Sequence, residues 1–157
     1  MSATSRIKLG LAFLIPVLII RAQTMTNLIT SSSKFAASES LAYATYVNDG
    51  NLYNEFYVST SATKVGSYLQ VDLGTSQNVE TIYMYQYQYS NLEVPSDVEI
   101  YLGDSPASGK IYSGVGTPCY NGGMEGIAKC SGKGRYLIFR VPKQGNSFRF
   151  GELFAWN

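Results

Sequence analysis

Residues 79–89 read Val-Glu-Thr-Ile-Tyr-Met-Tyr-Gln-Tyr-Gln-Tyr. In an extended strand, successive side chains point to opposite faces. Tyr83, Tyr85, Tyr87 and Tyr89 therefore share one face, and Ile82, Met84, Gln86 and Gln88 the other. The same period of two recurs along the chain, broken by Gly, Pro, Asn and Asp clusters, and no stretch carries an amphipathic helical stripe. The spacing predicts strands over 41–47, 67–73, 79–89, 97–102, 110–113, 135–141 and 147–154. Turns are predicted at 48–51, 74–76, 94–96, 103–106 and 143–146, and the glycine-rich 114–134 segment is predicted as a long connection. Short strands with such punctuation point to an all-β sandwich of about eight mainly antiparallel strands.

Composition narrows the chemistry. The chain has 157 residues, which suits one domain. It has no His, which removes Ser-His and Cys-His nucleophile systems and every His-containing zinc site. Two Cys alone build no zinc site. A net charge of +1 argues against a general nucleic-acid binder. Carboxylate pairs such as Glu93 with Asp97 or Glu55 with Glu125 are present, but one binding-sized domain gives them little surrounding architecture, so no enzyme is expected.

The amino terminus reads as a targeting segment. Arg6 and Lys8 precede the apolar run 9–20, and Arg21-Ala22-Gln23 follows. A basic start with about 7–15 apolar residues is the layout of a secretory signal peptide, and the run is too short for a spanning helix of ~20 residues. Cleavage after Ala22 leaves a domain over 23–157 and makes the net charge slightly negative. An uncleaved amino-terminal anchor is the alternative, since Ile20 is large for the −3 position. Export implies a secreted, extracellular protein in which Cys119 and Cys130 pair.

Several segments, in order over residues 35–156, resemble the discoidin, or coagulation factor 5/8 type C, superfamily of galactose-binding-like jelly rolls. They are Val47-Asn48-Asp49-Gly50-Asn51, Ser67-Tyr68-Leu69-Gln70-Val71-Asp72-Leu73-Gly74 with Val79 to Met84, Ser96 to Gly103, Gly134 to Pro142, and Phe150-Gly151-Glu152-Leu153-Phe154. Within that superfamily the layout is most similar to the F-type lectins. Their Arg-x-Asp-x-x-x-x-Arg/Lys fucose motif would fall on Tyr87, Tyr89 and Val94. None matches, and their His is absent, so the scaffold carries over without the fucose chemistry.

The resemblance also implies a Ca2+ site. Its oxygen donors would come from Asp49 and Asn51 in the first loop, Ser59 or Thr60 further on, and Gly151 and Glu152 at the last strand. Asp72 and Arg135 are expected to be structural. Ligands of such jelly rolls meet the loops at one end of the sandwich. Here those loops are aromatic and amide-rich, which suits stacking on sugar C–H faces and bonding to hydroxyls. Tyr53, Asn54, Tyr57, Tyr87, Tyr89, Asn91 and Asn121 are the expected ligand-binding residues. The expected function is a non-catalytic, lectin-like glycan-binding or adhesion module. One alternative is a structural subunit docking another protein. The other is a phospholipid-surface binder using Leu52, Phe56 and Met124 as apolar spikes.

Overall fold

The computed structural model describes residues 25–38, 41–58, 64–86, 97–123, 126–144 and 148–157. The targeting segment read over 1–22 lies outside them. The elements in chain order are β1 (Lys34–Ala37), a 3-10 helix (Leu41–Asn48), β2 (Phe56–Val58), β3 (Tyr68–Tyr85), β4 (Asp97–Gly103), β5 (Tyr120–Gly123), β6 (Gly126–Arg140), β7 (Phe148–Phe150) and β8 (Glu152–Trp156).

The architecture is a mostly antiparallel sandwich. One antiparallel ladder, β3 against β6, runs from Tyr68↔Arg140 to Met84↔Gly126. Its register shifts between Asp72 and Gln77, and there the ladder creases. Before the crease, β6 also pairs with β4, β4 with β5, and β3 with β1, forming a front layer. Beyond it, β3 pairs with β8, forming a back layer. β2 and β7 make a separate ribbon.

The core lies between the layers. Leu69, Val71, Val98, Ile100, Leu137 and Phe139 come from the front. Val79, Ile82, Met84, Ala128, Leu153 and Ala155 come from the back. Phe150 of the ribbon meets Phe139 edge-on at 5.2 Å between ring centres. Each buried Val, Leu, Ile, Met or Phe among them contributes roughly 1.5–3 kcal/mol. The Cys119–Cys130 disulfide links the approach to β5 with the back half of β6, with Cα atoms 4.7 Å apart.

Several predicted boundaries differ from the structure. Residues 41–47 form a 3-10 helix, because Ala44 and Val47 are buried three residues apart and the Tyr43 and Tyr46 rings meet at a tilt, 5.5 Å between centres. That spacing eclipses side chains in a 3-10 turn. Residues 110–113 lie in a long connection, held by single contacts rather than a ladder. The turn at 74–76 is a bulge inside β3, where the Gly74 amide donates to Asp72 Oδ1 at 2.8 Å. The 147–154 strand divides at Gly151 into β7 and β8.

The glycine-rich segment houses β5 and most of β6. Gly134 sits at the crease against β4, where a Cβ would stand 2.6 Å from the Gly103 nitrogen. Glycine here permits the close approach that alternation alone would not reveal. Beside it, Arg135 grips Asp72 with two bonds of 2.7 and 2.9 Å. The bonds to Arg135, followed by the Gly74 amide, hold the Asp72 carboxyl below its usual range despite partial burial.

Replacing both cysteines with alanine is expected to lower stability by about 2–3 kcal/mol, read as a lower urea midpoint. Thiol reduction of the parent chain should approach the same midpoint.

Candidate functional site

The ladder register brings several segments to one end, away from the crease. β3 ends there at Tyr85, β6 begins at Gly126 and β8 begins at Glu152. The Gly151 amide donates to the Tyr85 carbonyl at 2.8 Å, which holds the last strand's entry against β3.

The 49–55 loop closes over this end. Asp49 Oδ1 accepts the Asn51 amide at 2.9 Å, an Asx turn. Asn51 Oδ1 accepts the Tyr53 amide at 3.0 Å. Asp49 Oδ2 accepts Asn54 Nδ2 at 2.7 Å. Short polar side chains thus satisfy a loop too tight to pair with a strand. The loop is tied to the last strand by the Gly50 amide, which donates to Glu152 Oε1 at 2.7 Å.

This end carries unusual buried polarity. Glu152 is 2% exposed. Burial pushes its carboxyl above the usual glutamate range, and the hydrogen-bonded Asp49 carboxyl pushes the same way against the opposing Gly50 amide. Glu55 lies 3.9 Å from Arg149 of β7, which is itself buried. Burial raises the Glu55 carboxyl too, opposed by the Arg149 charge. Gln86 is also buried here. Asn54 Oδ1 and Glu55 Oε2 are buried oxygens without a hydrogen-bond partner among the described residues. Such groups ordinarily find one.

The structure brings Asp49, Asn51, Asn54, Gly151 and Glu152 together. Tyr53 stands at the loop tip, 81% exposed. The Asn54 amide nitrogen is taken up by Asp49, so this residue shapes the loop. Tyr57 lies on β2 in register with Arg149. Asn121 lies exposed on β5, opposite Glu99. Ser59, Thr60, Tyr87, Tyr89 and Asn91 lie outside the described residues, as do Met124, Glu125 and Glu93. Phe56, read as an apolar spike for a lipid surface, is fully buried in the core. In β2 it takes an inward-facing position and joins the core cluster. Leu52 remains exposed.

Sequence reasoning passed over Arg149 and Gln86. A lone arginine between two phenylalanines, Phe148 and Phe150, was the available signal, since an arginine in an apolar strand requires an acidic partner when buried.

Among the described residues no group of three His, Cys, Asp or Glu side chains converges. The loop-end donors are instead two carboxylates with amide and backbone oxygens. Hard oxygens with an unpartnered Asn54 Oδ1 among them suit Ca2+, which takes 6–8 oxygen ligands, better than any softer ion.

No protein-family model and no curated protein matches the chain. Solved structures do. A family 32 carbohydrate-binding module from Clostridium perfringens NanJ, in complex with galactose, superposes with a TM-score of 0.65 at 17% identity, covering 85% of this chain and 100% of that one. The chain has the galactose-binding-like jelly-roll fold. A fucolectin from striped bass (Morone saxatilis) serum matches at TM-score 0.64 and 17% identity, over 84% of this chain and 47% of that one. A second Clostridium perfringens family 32 module, in complex with GalNAc-β-1,3-galactose, matches at 0.60 and 15% identity, over 84% and 100%.

The raised Glu152 carboxyl predicts a pH dependence. A carboxyl whose folded pKa lies above its unfolded value adds stability below the ordinary glutamate range. That contribution is lost as pH rises through the folded pKa. In chelator, the melting temperature should fall over that interval, and Glu152→Gln should flatten the part of the slope not owed to Glu55. Scanning calorimetry across pH measures it.

Proposed function

We propose that this chain is a secreted, non-catalytic carbohydrate-binding module that holds glycans at the loop end of the sandwich. The observation that carries the reading is the loop end itself. An exposed Tyr53 ring stands on a loop made rigid by Asp49, Asn51 and Gly50, and that loop is anchored to Glu152. The likeness to a galactose-bound module along that module's full length supports it.

An aromatic ring presented on a fixed loop stacks on the C–H face of a pyranose, and amides nearby bond its hydroxyls. Tyr53, Asn121, Tyr57, Tyr87, Tyr89 and Asn91 supply that chemistry, and Asn54 holds the loop. The absence of the Arg, Asp and His of the fucose motif directs the site to sugars other than fucose.

Ca2+ belongs to the same reading. Asp49 and Glu152 would hold it, with Asn51, Asn54, Gly151 and Ser59 or Thr60 as further oxygen donors. The ion would neutralise two adjoining carboxyls and tie the first loop to the last strand. Adding Ca2+ should raise the melting temperature of the parent chain and leave Asp49→Asn and Glu152→Gln unmoved. Equal shifts in all three would remove the ion from this site.

A glycan array probed with the full chain, with Ca2+ and with chelator, tests ligand class and ion together. Binding to galactose-bearing glycans is expected. Tyr53→Ala should weaken it at least about fivefold, the equivalent of ~1 kcal/mol of ring contact. An array without signal in Ca2+ overturns the reading. Secretion has its own check: amino-terminal sequencing of exported protein should begin at Gln23.

A further inference from the structure

The connection from β4 to β5, residues 104–119, contains neither strand nor helix. Compact domains rarely leave more than ~12–15 residues in that state without a use for them. This connection lies as a strap across the outer face of the front layer. The Ala107 amide donates to Gln70 Oε1 at 2.6 Å, and the Tyr68 hydroxyl donates to the Gly109 carbonyl at 3.0 Å. The Tyr112 amide donates to the Gly66 carbonyl at 2.8 Å, and Arg140 Nε to the Tyr112 carbonyl at 2.9 Å. Gly114, at φ 75°, rests directly on Tyr101, where a Cβ would stand 2.7 Å from the hydroxyl oxygen. Fastened at these points, the strap has a fixed shape.

Between its outgoing limb at Asp104 and Ser105 and its returning limb from Tyr112 to Thr117 lies an open cleft of 310 Å³, floored by β4 and Ile138. That is the lower end of the volume range of small-molecule sites. Gly103 pairs with Tyr136 beside the crease, so the cleft borders the crease, whereas the loop site lies at the ladder end away from it.

The lining selects the ligand. The Tyr112 ring meets the buried Tyr101 edge-on at 5.3 Å to form an aromatic corner, and Val115 stands 76% exposed at the rim. Ser105 and Thr117 add hydroxyls. Asp104 adds a carboxylate, oriented by the Arg135 amide, which donates to its Oδ1 at 3.0 Å. No Lys or Arg lines the cleft, and the chain has no His. A phosphate or a sugar acid would find no cation. A wholly apolar ligand would strip water from Asp104 without replacing it. A neutral sugar ring offers a C–H face to Tyr112 and hydroxyls to the acceptors.

We propose that the strap cleft is a second saccharide site, taking one neutral pyranose independently of the loop end. Two separate sites let a single domain bridge two glycan chains.

The test is an amide-resolved NMR titration of the full chain with methyl β-galactopyranoside, methyl β-glucopyranoside and methyl α-mannopyranoside, each to tens of millimolar. Galacturonate serves as the anionic control. At least one neutral glycoside should move the amides of Gly103, Ser105, Gly116 and Thr117, and galacturonate should not. Ser105→Trp, which fills the cleft, should abolish those shifts and leave any at Gly50 and Gly151 in place. Asp104→Asn should weaken binding roughly tenfold, the worth of a hydrogen bond to a charged acceptor. If Ser105→Trp fails to fold, Thr117→Arg blocks the same space. Strap amides that stay still with all three glycosides, or that still move in the filled variant, overturn the proposal. Loop-end shifts report on the other site separately.

Discussion

The β3–β6 ladder is the constraint on which the rest depends. It is one hydrogen-bonded pairing that serves both layers of the sandwich, because it creases between Asp72 and Gln77. The crease works only where backbone can meet backbone, at Gly134 against Gly103. The Arg135–Asp72 fork holds its flank. From that fold-over, the two layers face each other, the apolar alternation of both strands becomes one core, and the far ends of β3, β6 and β8 converge. The disulfide then clips β5 to the same ladder from the other side.

The convergence explains why polarity is tolerated where it is. On the inner face of the ladder, buried side chains are apolar and the backbone is satisfied by the sheet. At the loop end, sheet pairing stops, and side chains take over the bonding of the backbone. Asp49, Asn51 and Asn54 organise their own loop, and Glu152 receives the Gly50 amide. The result is an exposed carboxyl, Asp49, held against a buried one, Glu152. Such an arrangement is settled by a proton or by a cation. The strap across the front face is a different kind of surface. It is anchored through side chains of an intact sheet, and its cleft mixes aromatic rings with hydroxyls.

Strand existence was legible wherever alternation was strong. Ile82 and Met84 face the core and Tyr83 the outside, where its ring lies 6.2 Å from that of Phe154. The same reading failed at 41–47. There, Leu41, Tyr43 and Val47 satisfy a period of two, but Ala44 and Val47, three apart and on opposite faces of any strand, are both buried, and their packing chose the 3-10 turn. It failed again at 126–134, where small residues carry little strand propensity and the partner strand imposes the pairing. The loop-end set was partly legible. Asp49 and Glu152 sit 103 positions apart in number yet were paired by resemblance, and the Gly50–Glu152 bond joins their surroundings. Arg149 with Glu55 was not legible, because burial of an arginine depends on what covers it.

Alternation, turn residues and the lack of histidine were enough, by themselves, to establish an all-β chain without histidine-based chemistry. These properties are local: each follows from neighbouring side chains and the two faces of a strand. The crease, the meeting of the first loop with the last strand, and the strap over the front face were decided only in three dimensions. They depend on contacts between residues far apart in the chain, and no local period encodes which distant backbone will lie close enough to require a glycine or leave room for a ligand.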